Sequence, residues 1–440
     1  MGKVNAMTTI ALNILDELYL HLDRDAEPWS VHLEAGVEGR VDADRLADAV
    51  LEGARRHPLA RARLCPARAI DLGYEWEVAE ELSDAPLEVT DCDDDAALAA
   101  TRERLMSTSP ALDEAPPFAM TLADHPGGDA IMLNLNHAAG DGVSAVRLMA
   151  SILRAYAGEA DPQAPVDPLA VRDIGALVDS RSLPARIMRG RTLARQATRV
   201  AAPPARIAAE GGDGDRDGYG FEGLRLGPDE LQVILDRRTG GATVNDVLLG
   251  ALALTIHRWN ERHGEGDGRI GIMMPVNLRP GEWRTEVFGN FASIVSVDLA
   301  ADEQADLPTA VAAAAERTRQ IKDEGGAGLA VDLLELPTAT LPTAVKHRFQ
   351  DLISLTGSRF VDTTVLSNLG RLNPVPSLGG EACRVKKVWF SPPGRMPLGA
   401  SLGAATHDDE LFLCLRYRHA LFDAPAAATF AQLLREVLTA

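Results

Sequence analysis

The stretch from Ile131 to Tyr156 constrains the fold of this chain more than any other, because its hydrophobic period changes within a few residues. Ile131, Leu133 and Leu135 alternate with Met132, Asn134 and Asn136, the period-two pattern of a strand. Further on, apolar groups recur at Val143, Val146, Ile152, Leu153 and Tyr156, the spacing of one helical face. Between the two runs, Gly140 and Gly142 permit a tight entry into the helix. The sequence therefore predicts strand, turn and helix, with His137 where the strand ends and Asp141 within the turn.

A neutral imidazole, whose ordinary pKa is about 6.5, offers an acceptor nitrogen for a substrate proton near pH 7. His137 is thus a candidate general base, and Asp141 a candidate to orient the loop or the ring. A histidine hydrogen-bonded in a turn gives the same short pattern, so the remainder of the chain has to discriminate.

It does so through a resemblance. Asn136-His137-Ala138-Ala139-Gly140-Asp141-Gly142 resembles the His-His-x-x-x-Asp-Gly motif of the chloramphenicol acetyltransferase-like superfamily. That superfamily includes nonribosomal peptide condensation domains and the wax ester synthase/diacylglycerol acyltransferases. Leu15 to Leu20 and Glu27 to His32 resemble its opening helix and first strand, and Arg55-Arg56-His57-Pro58-Leu59-Ala60-Arg61 its His-Pro step. Thr243 to Leu249, with Asn245-Asp246, resembles the Asn-Asp motif of the wax ester synthase branch. Pro275-Val276-Asn277-Leu278-Arg279, then Phe288-Gly289-Asn290-Phe291, and finally Ser367-Asn368-Leu369-Gly370 resemble three further segments, all in the family's order. Two positions depart from the pattern. The first histidine of the doublet is Asn136, and Pro116-Pro117-Phe118 stands where the wax ester branch has Pro-Leu-Trp.

The resemblance implies an α/β fold of two chloramphenicol acetyltransferase-like domains in a V, with a tunnel between them leading to His137 from both faces. Composition agrees with that size class. The length of 440 residues suggests two to three domains of about 150 residues each, and 46% hydrophobic residues suffice for buried cores. Prolines at 162, 165, 168, 184, 203 and 204, followed by Gly211-Gly212-Asp213-Gly214, read as linker. The expected division is a domain at 1–175 carrying the histidine motif, a basic and glycine-rich linker at 176–222, and a second domain at 223–440. In the second, Pro228 to Arg238 and Thr243 to Trp259 read as helices, and Ile270 to Met274, Ser293 to Leu299, Thr363 to Leu366 and Leu411 to Tyr417 as strands.

A net charge of −20, from 44 basic and 64 acidic side chains, argues against nucleic acid as a partner, because phosphate tracking calls for a basic surface. Cys65, Cys92, Cys383 and Cys414 lack zinc-site or disulfide-framework spacing and read as reduced thiols in a cytoplasmic protein. No metal site is expected from the histidines either. There is no signal-like segment and no run of about 20 apolar residues, and Ala6 stands where a myristoylation signal has Ser or Thr. Arg186, Arg189, Arg191, Arg195, Arg199 and Arg206 fall in a stretch free of acidic residues. A basic amphipathic helix there has three candidate partners: an anionic membrane or lipid-droplet surface, the phosphates of coenzyme A, or the protein's own acidic body.

Three short matches lead elsewhere. Gly399 to Gly403 fits G-x-S-x-G but runs into a strand, whereas a nucleophile elbow runs into a helix. Asp213, Asp215, Asp217 and Gly218 imitate a calcium loop, with Leu224 where its closing Glu belongs. His257, His263, His347, His407 and His419 show no metal-ligand spacing.

The resemblance further implies an O-acyltransferase with no bound cofactor. Its co-substrate is an acyl thioester, on coenzyme A or an acyl carrier protein, and its acceptor an alcohol such as a fatty alcohol or diacylglycerol, or an amine. His137 takes the acceptor proton, Gly142 offers a backbone amide to the oxyanion, and Asp141 pairs with Arg279 as structural support. Ser367, Asn368 and Asn136 are candidate substrate contacts, Asn368 lining the tunnel or stabilising its loop. The alternatives are a condensation-type enzyme using carrier-bound donors, which forms an amide or ester, and a non-catalytic binding module.

Overall fold

The predicted strand, turn and helix form at Ala130–Asn136, 137–141 and Gly142–Ala157. Asp141 is the N-cap of the helix, its carboxylate accepting the Ser144 N–H at 3.0 Å, which satisfies one of the donors a helix start leaves free. The helix stops at Gly158, whose φ of 72° is left-handed and suits a residue without Cβ.

The computed structural model describes residues 8–179, 182–190, 203–266, 268–348, 361–372 and 384–440. They form a mixed α/β fold with two large sheets, one per lobe, and a small antiparallel sheet of Thr8–Ala11, Glu75–Val78 and Ala62–Leu64. The first lobe's five-stranded sheet runs, in spatial order, Arg384–Ser391, Ser30–Glu38, Ala130–Asn136, Phe118–Asp124 and Leu87–Asp91. Only its last pair is parallel. Its edge strand, Arg384–Ser391, comes from the second half of the chain and pairs antiparallel with Ser30–Glu38, Phe390 opposite Leu33. The expected division at 175 and 223 contains no such exchange, because nothing in the local pattern of Arg384–Ser391 says which lobe's sheet it joins.

The second lobe's sheet has six strands, in the order Ala292–Leu299, Ile270–Asn277, Thr364–Arg371, Ala400–His407, Glu410–Arg418 and Tyr219–Leu226. Each strand expected in this half forms, with ends shifted by up to five residues. Helices Pro228–Asp236, Val244–Arg262, Leu307–Asp323 and Ala424–Thr439 belong to this lobe, and its core joins Leu252, Ile256 and Trp259 to Phe422, Phe430 and Leu434. The other main core gathers Val31, Leu133, Leu148 and Ile152 around residues donated by the second half, namely Trp283, Phe288, Phe291 and Phe390. A single apolar cluster thus contains side chains from both halves, so the lobes are held by burial as well as by polar contacts.

The described part of the basic segment turns to the protein itself, one of the three partners expected for it. Arg189 is buried and grips Asp332 through Nε and Nη2, and Arg206 donates to the carbonyls of Val361 and Asp362. These two guanidiniums are turned to the protein. Arg191, Arg195 and Arg199, the face expected to meet a membrane or phosphates, lie outside the described residues. Among the described residues no helix is long and apolar enough to cross a membrane.

Candidate active site

His137 follows the last residue of its strand, where its backbone N–H donates to the Trp29 carbonyl at 3.1 Å. Its ring lies against Tyr19, with centroids 3.9 Å apart and planes 31° apart, and the Tyr19 hydroxyl donates to the Ala292 carbonyl at 2.9 Å. The histidine is 9% exposed, enough to be reached only from a cavity. Burial lowers its pKa below the ordinary histidine value, outweighing its own carbonyl, the Asp141 charge and Asn290, which favour the protonated ring. The imidazole is therefore neutral at pH 7, the form that accepts a proton.

Asp141 is 1% exposed and is used up by its partners. Arg279 binds it in bidentate fashion, Nη1 to Oδ2 at 2.9 Å and Nη2 to Oδ1 at 3.0 Å. The Phe291 N–H donates to Oδ2 at 2.9 Å, and the Ser144 N–H and hydroxyl to Oδ1. Burial alone pushes the carboxyl up, but Arg279 and these donors bring it below its usual range. Arg279 in turn donates to the carbonyls of Val287 and Gly289 and to Asn277. The pair fixes the turn rather than reaching for a substrate.

Asn290 reinforces the same turn, its amide donating to the carbonyls of His137 and Ala138, each at 2.8 Å, and to Asp16. The sequence marks Asn290 only as part of a motif; its hold on the histidine needs the two halves to meet. Tyr19, whose ring sets the tilt of the imidazole, had no signal beyond its place in a motif helix.

A cavity of about 310 Å³ opens at His137 where the lobes face each other. Tyr19, Trp29, Gly142 and Val143 line it from one side, and Asn245, Met274, Asn277, Ser367, Asn368 and Leu369 from the other. The N–H groups of Gly142 and Val143 belong to the first turn of their helix and so have no carbonyl four residues back to bond. Asn368 accepts the Gly370 N–H on Oδ1 at 2.8 Å, which orients the side chain. Gly142 is required by space, because a Cβ there would lie 2.9 Å from two ring atoms of Phe390.

Asn136 is placed differently from the expected substrate contact. Its Nδ2 donates to Asp23, Ser109 and the Pro110 carbonyl, its Oδ1 accepts the Ala138 N–H, and it does not line the cavity. As the last residue of a strand whose side chains alternate, it points to the face opposite His137. Asp246 caps its own helix and holds Thr318 at 2.7 Å, while Asn245 donates to the Met274 sulfur. Ser401, the serine of the G-x-S-x-G match, sits within a strand and donates to the Pro392 carbonyl. Among the described residues no three His, Cys, Asp or Glu side chains converge as metal ligands.

Over 398 residues the chain is 40% identical to Uncharacterized protein Rv2305 of Mycobacterium tuberculosis (strain ATCC 25618 / H37Rv), covering 90% of this chain and 91% of that protein. The figures are the same for Uncharacterized protein MT2362 of strain CDC 1551 / Oshkosh. The chain belongs to the Rv2305 family. No family model matches it. The Rv2305-family fold is similar to the first condensation domain of the CDA synthetase, with a TM-score of 0.73 at 16% identity, covering 98% of this chain and 96% of that one. It is also similar to the TRI3 trichothecene 15-O-acetyltransferase from Fusarium sporotrichioides, with a TM-score of 0.72 at 11% identity and 100% and 96% coverage. The condensation domain of the Monacolin K polyketide synthase MokA gives 0.70 at 14% identity, with 99% and 98% coverage. The chain thus has the two-lobed fold of these condensation domains and of this acetyltransferase.

Proposed function

We propose that the protein transfers an acyl group from a thioester to a hydroxyl acceptor, with His137 as general base. The observation that carries this reading is a neutral, buried imidazole at the wall of a cavity between two lobes, beside a helix N-terminus. The acceptor oxygen attacks the thioester carbonyl while His137 takes its proton. The tetrahedral oxyanion meets the N–H groups of Gly142 and Val143 and the amide of Asn368, donors fixed before the charge develops. Collapse breaks the carbon–sulfur bond, and the imidazolium returns the proton to the departing thiolate, leaving an ester and a free thiol. No acyl-enzyme is needed.

Acyl-CoA is the proposed donor, and a fatty alcohol or diacylglycerol the proposed acceptor, on the resemblance of Thr243 to Leu249 to the wax ester synthase motif. A carrier-bound thioester is the second reading, favoured by the likeness to condensation domains. The test is release of free thiol from acyl-CoAs of several chain lengths, and from an acylated carrier protein, with alcohol, diacylglycerol or amine present. Acceptor-dependent release that falls about 10²- to 10⁴-fold in His137→Ala, with an unchanged melting temperature, is the expected result. Full activity in that variant, or no acceptor-dependent release from any donor, defeats the proposal.

A further inference from the structure

A second hollow adjoins the reaction cavity, lined mainly by the first lobe and closed by Thr285, Glu286, Leu369, Arg371 and Leu372 of the second half. The exchanged strand Arg384–Ser391 extends the sheet at its edge, and between this strand and helix Gly142–Ala157 a groove of about 350 Å³ is left. Val146, Ala150 and Leu153 form one wall, spaced as a single helical face, with Leu33 as floor and Val388 opposite. These five form an apolar strip, the kind of lining that takes hydrocarbon, while Glu34, Arg147, Arg154, Glu286 and Arg371 line the rest of the groove.

The groove is continuous with the cavity at His137. Val143 and Leu369 line both. On the exchanged strand, Phe390 faces the cavity and Val388 the groove, two residues apart and hence on the same face, about 6.6 Å along the strand. On the helix, Gly142 touches the cavity, and Ala150 lies about 12 Å farther along the axis. A linear chain whose carbonyl sits at His137 therefore has an apolar strip to follow, from Val143 along Val146, Ala150 and Leu153.

We infer that this groove binds the acyl chain of the donor and that Val146 and Ala150 set its accepted length. The inference rests on the thioester reading above. The chain is the occupant because the groove meets the cavity at Val143, beside the amides that would receive the oxyanion of the acyl carbonyl. The acceptor's own alkyl chain is the competing occupant.

The test compares acetyl-CoA, octanoyl-CoA and dodecanoyl-CoA as donors in the wild type, Ala150→Trp and Val146→Trp, with Ala150→Leu as a milder filling should an indole prevent folding. The expected result is a fall of about tenfold or more in the dodecanoyl to acetyl ratio of kcat/KM, since each methylene kept from burial weakens binding severalfold. A ratio within about twofold of wild type in variants that melt normally overturns the inference. So does a shift confined to acceptor chain length. Binding of dodecanoic acid by calorimetry separates the two proposals. If no donor supports turnover in the wild type, the proposed function fails, and the groove stands only if the acid binds and Ala150→Leu or Ala150→Trp weakens it. Absent binding, or equal binding by the variants, overturns the groove on its own.

Discussion

Asp141 and Arg279 are 138 positions apart and form one buried, bidentate pair. Both are nearly inaccessible to water, so removing one leaves the other as an uncompensated charge. Arg279→Ala is expected to destabilise the protein by about 3 to 5 kcal/mol, measured by urea unfolding. Arg279→Lys should recover little of this, because a single ammonium cannot occupy the two carboxylate oxygens together with the carbonyls of Val287 and Gly289. A lysine variant as stable as wild type would show that charge alone suffices. His137 and Asp141 were legible in the sequence because strand, turn and helix are local. Asn136 was misplaced there because a motif position does not say to which face of the sheet a side chain turns.

Helix Val244–Arg262 is buried along most of its length, which leaves room for little more than backbone where it crosses Leu307–Asp323. At Gly250, an added Cβ would lie 2.7 Å from the Val311 backbone nitrogen. Alanine in place of glycine within a helix normally gains about 1 kcal/mol; here Gly250→Ala should lose about 1 to 3 kcal/mol as the two helices are pushed apart. Urea midpoints decide between the two signs. The elements themselves followed from periodicity, and strands such as Glu410–Arg418 were expected within a residue of their ends. The membership of Arg384–Ser391 in the first lobe was not, since strand pattern specifies burial on a face and leaves the partner open. The groove beside Ala150 joins residues of segments as distant as Leu33, Glu286, Leu369 and Val388 and so was equally hidden.

At the scale of the molecule, the lobes meet through buried polar groups as well as a shared core. Arg416 of the second lobe donates to the Ser30 carbonyl at 2.8 Å, and Lys346 bonds Glu17 at 2.9 Å. Buried histidines make this assembly sensitive to acid. Burial, and then Arg147, lowers His57 to about 3, whereas an unfolded histidine titrates near 6.5. Between these values the unfolded chain binds a proton that the native state refuses, so stability falls as pH drops below about 6.5. The slope is up to about 1.4 kcal/mol per pH unit for one such group. Urea midpoints between pH 7 and 5 should decline, and less steeply in His57→Gln. Glu34, lowered to about 2 by Arg102 and His32 against its burial, adds its loss only below about 4.5, where an unfolded carboxylate begins to bind protons. The sequence by itself determined the α/β class, the local unit that presents His137 and the order of the motif segments, because periodicity and turn chemistry act over a few residues. Only the tertiary structure decided what Asn136 touches, which lobe receives Arg384–Ser391 and where the groove lies. Those outcomes depend on contacts between residues hundreds of positions apart, which neither period nor spacing encodes.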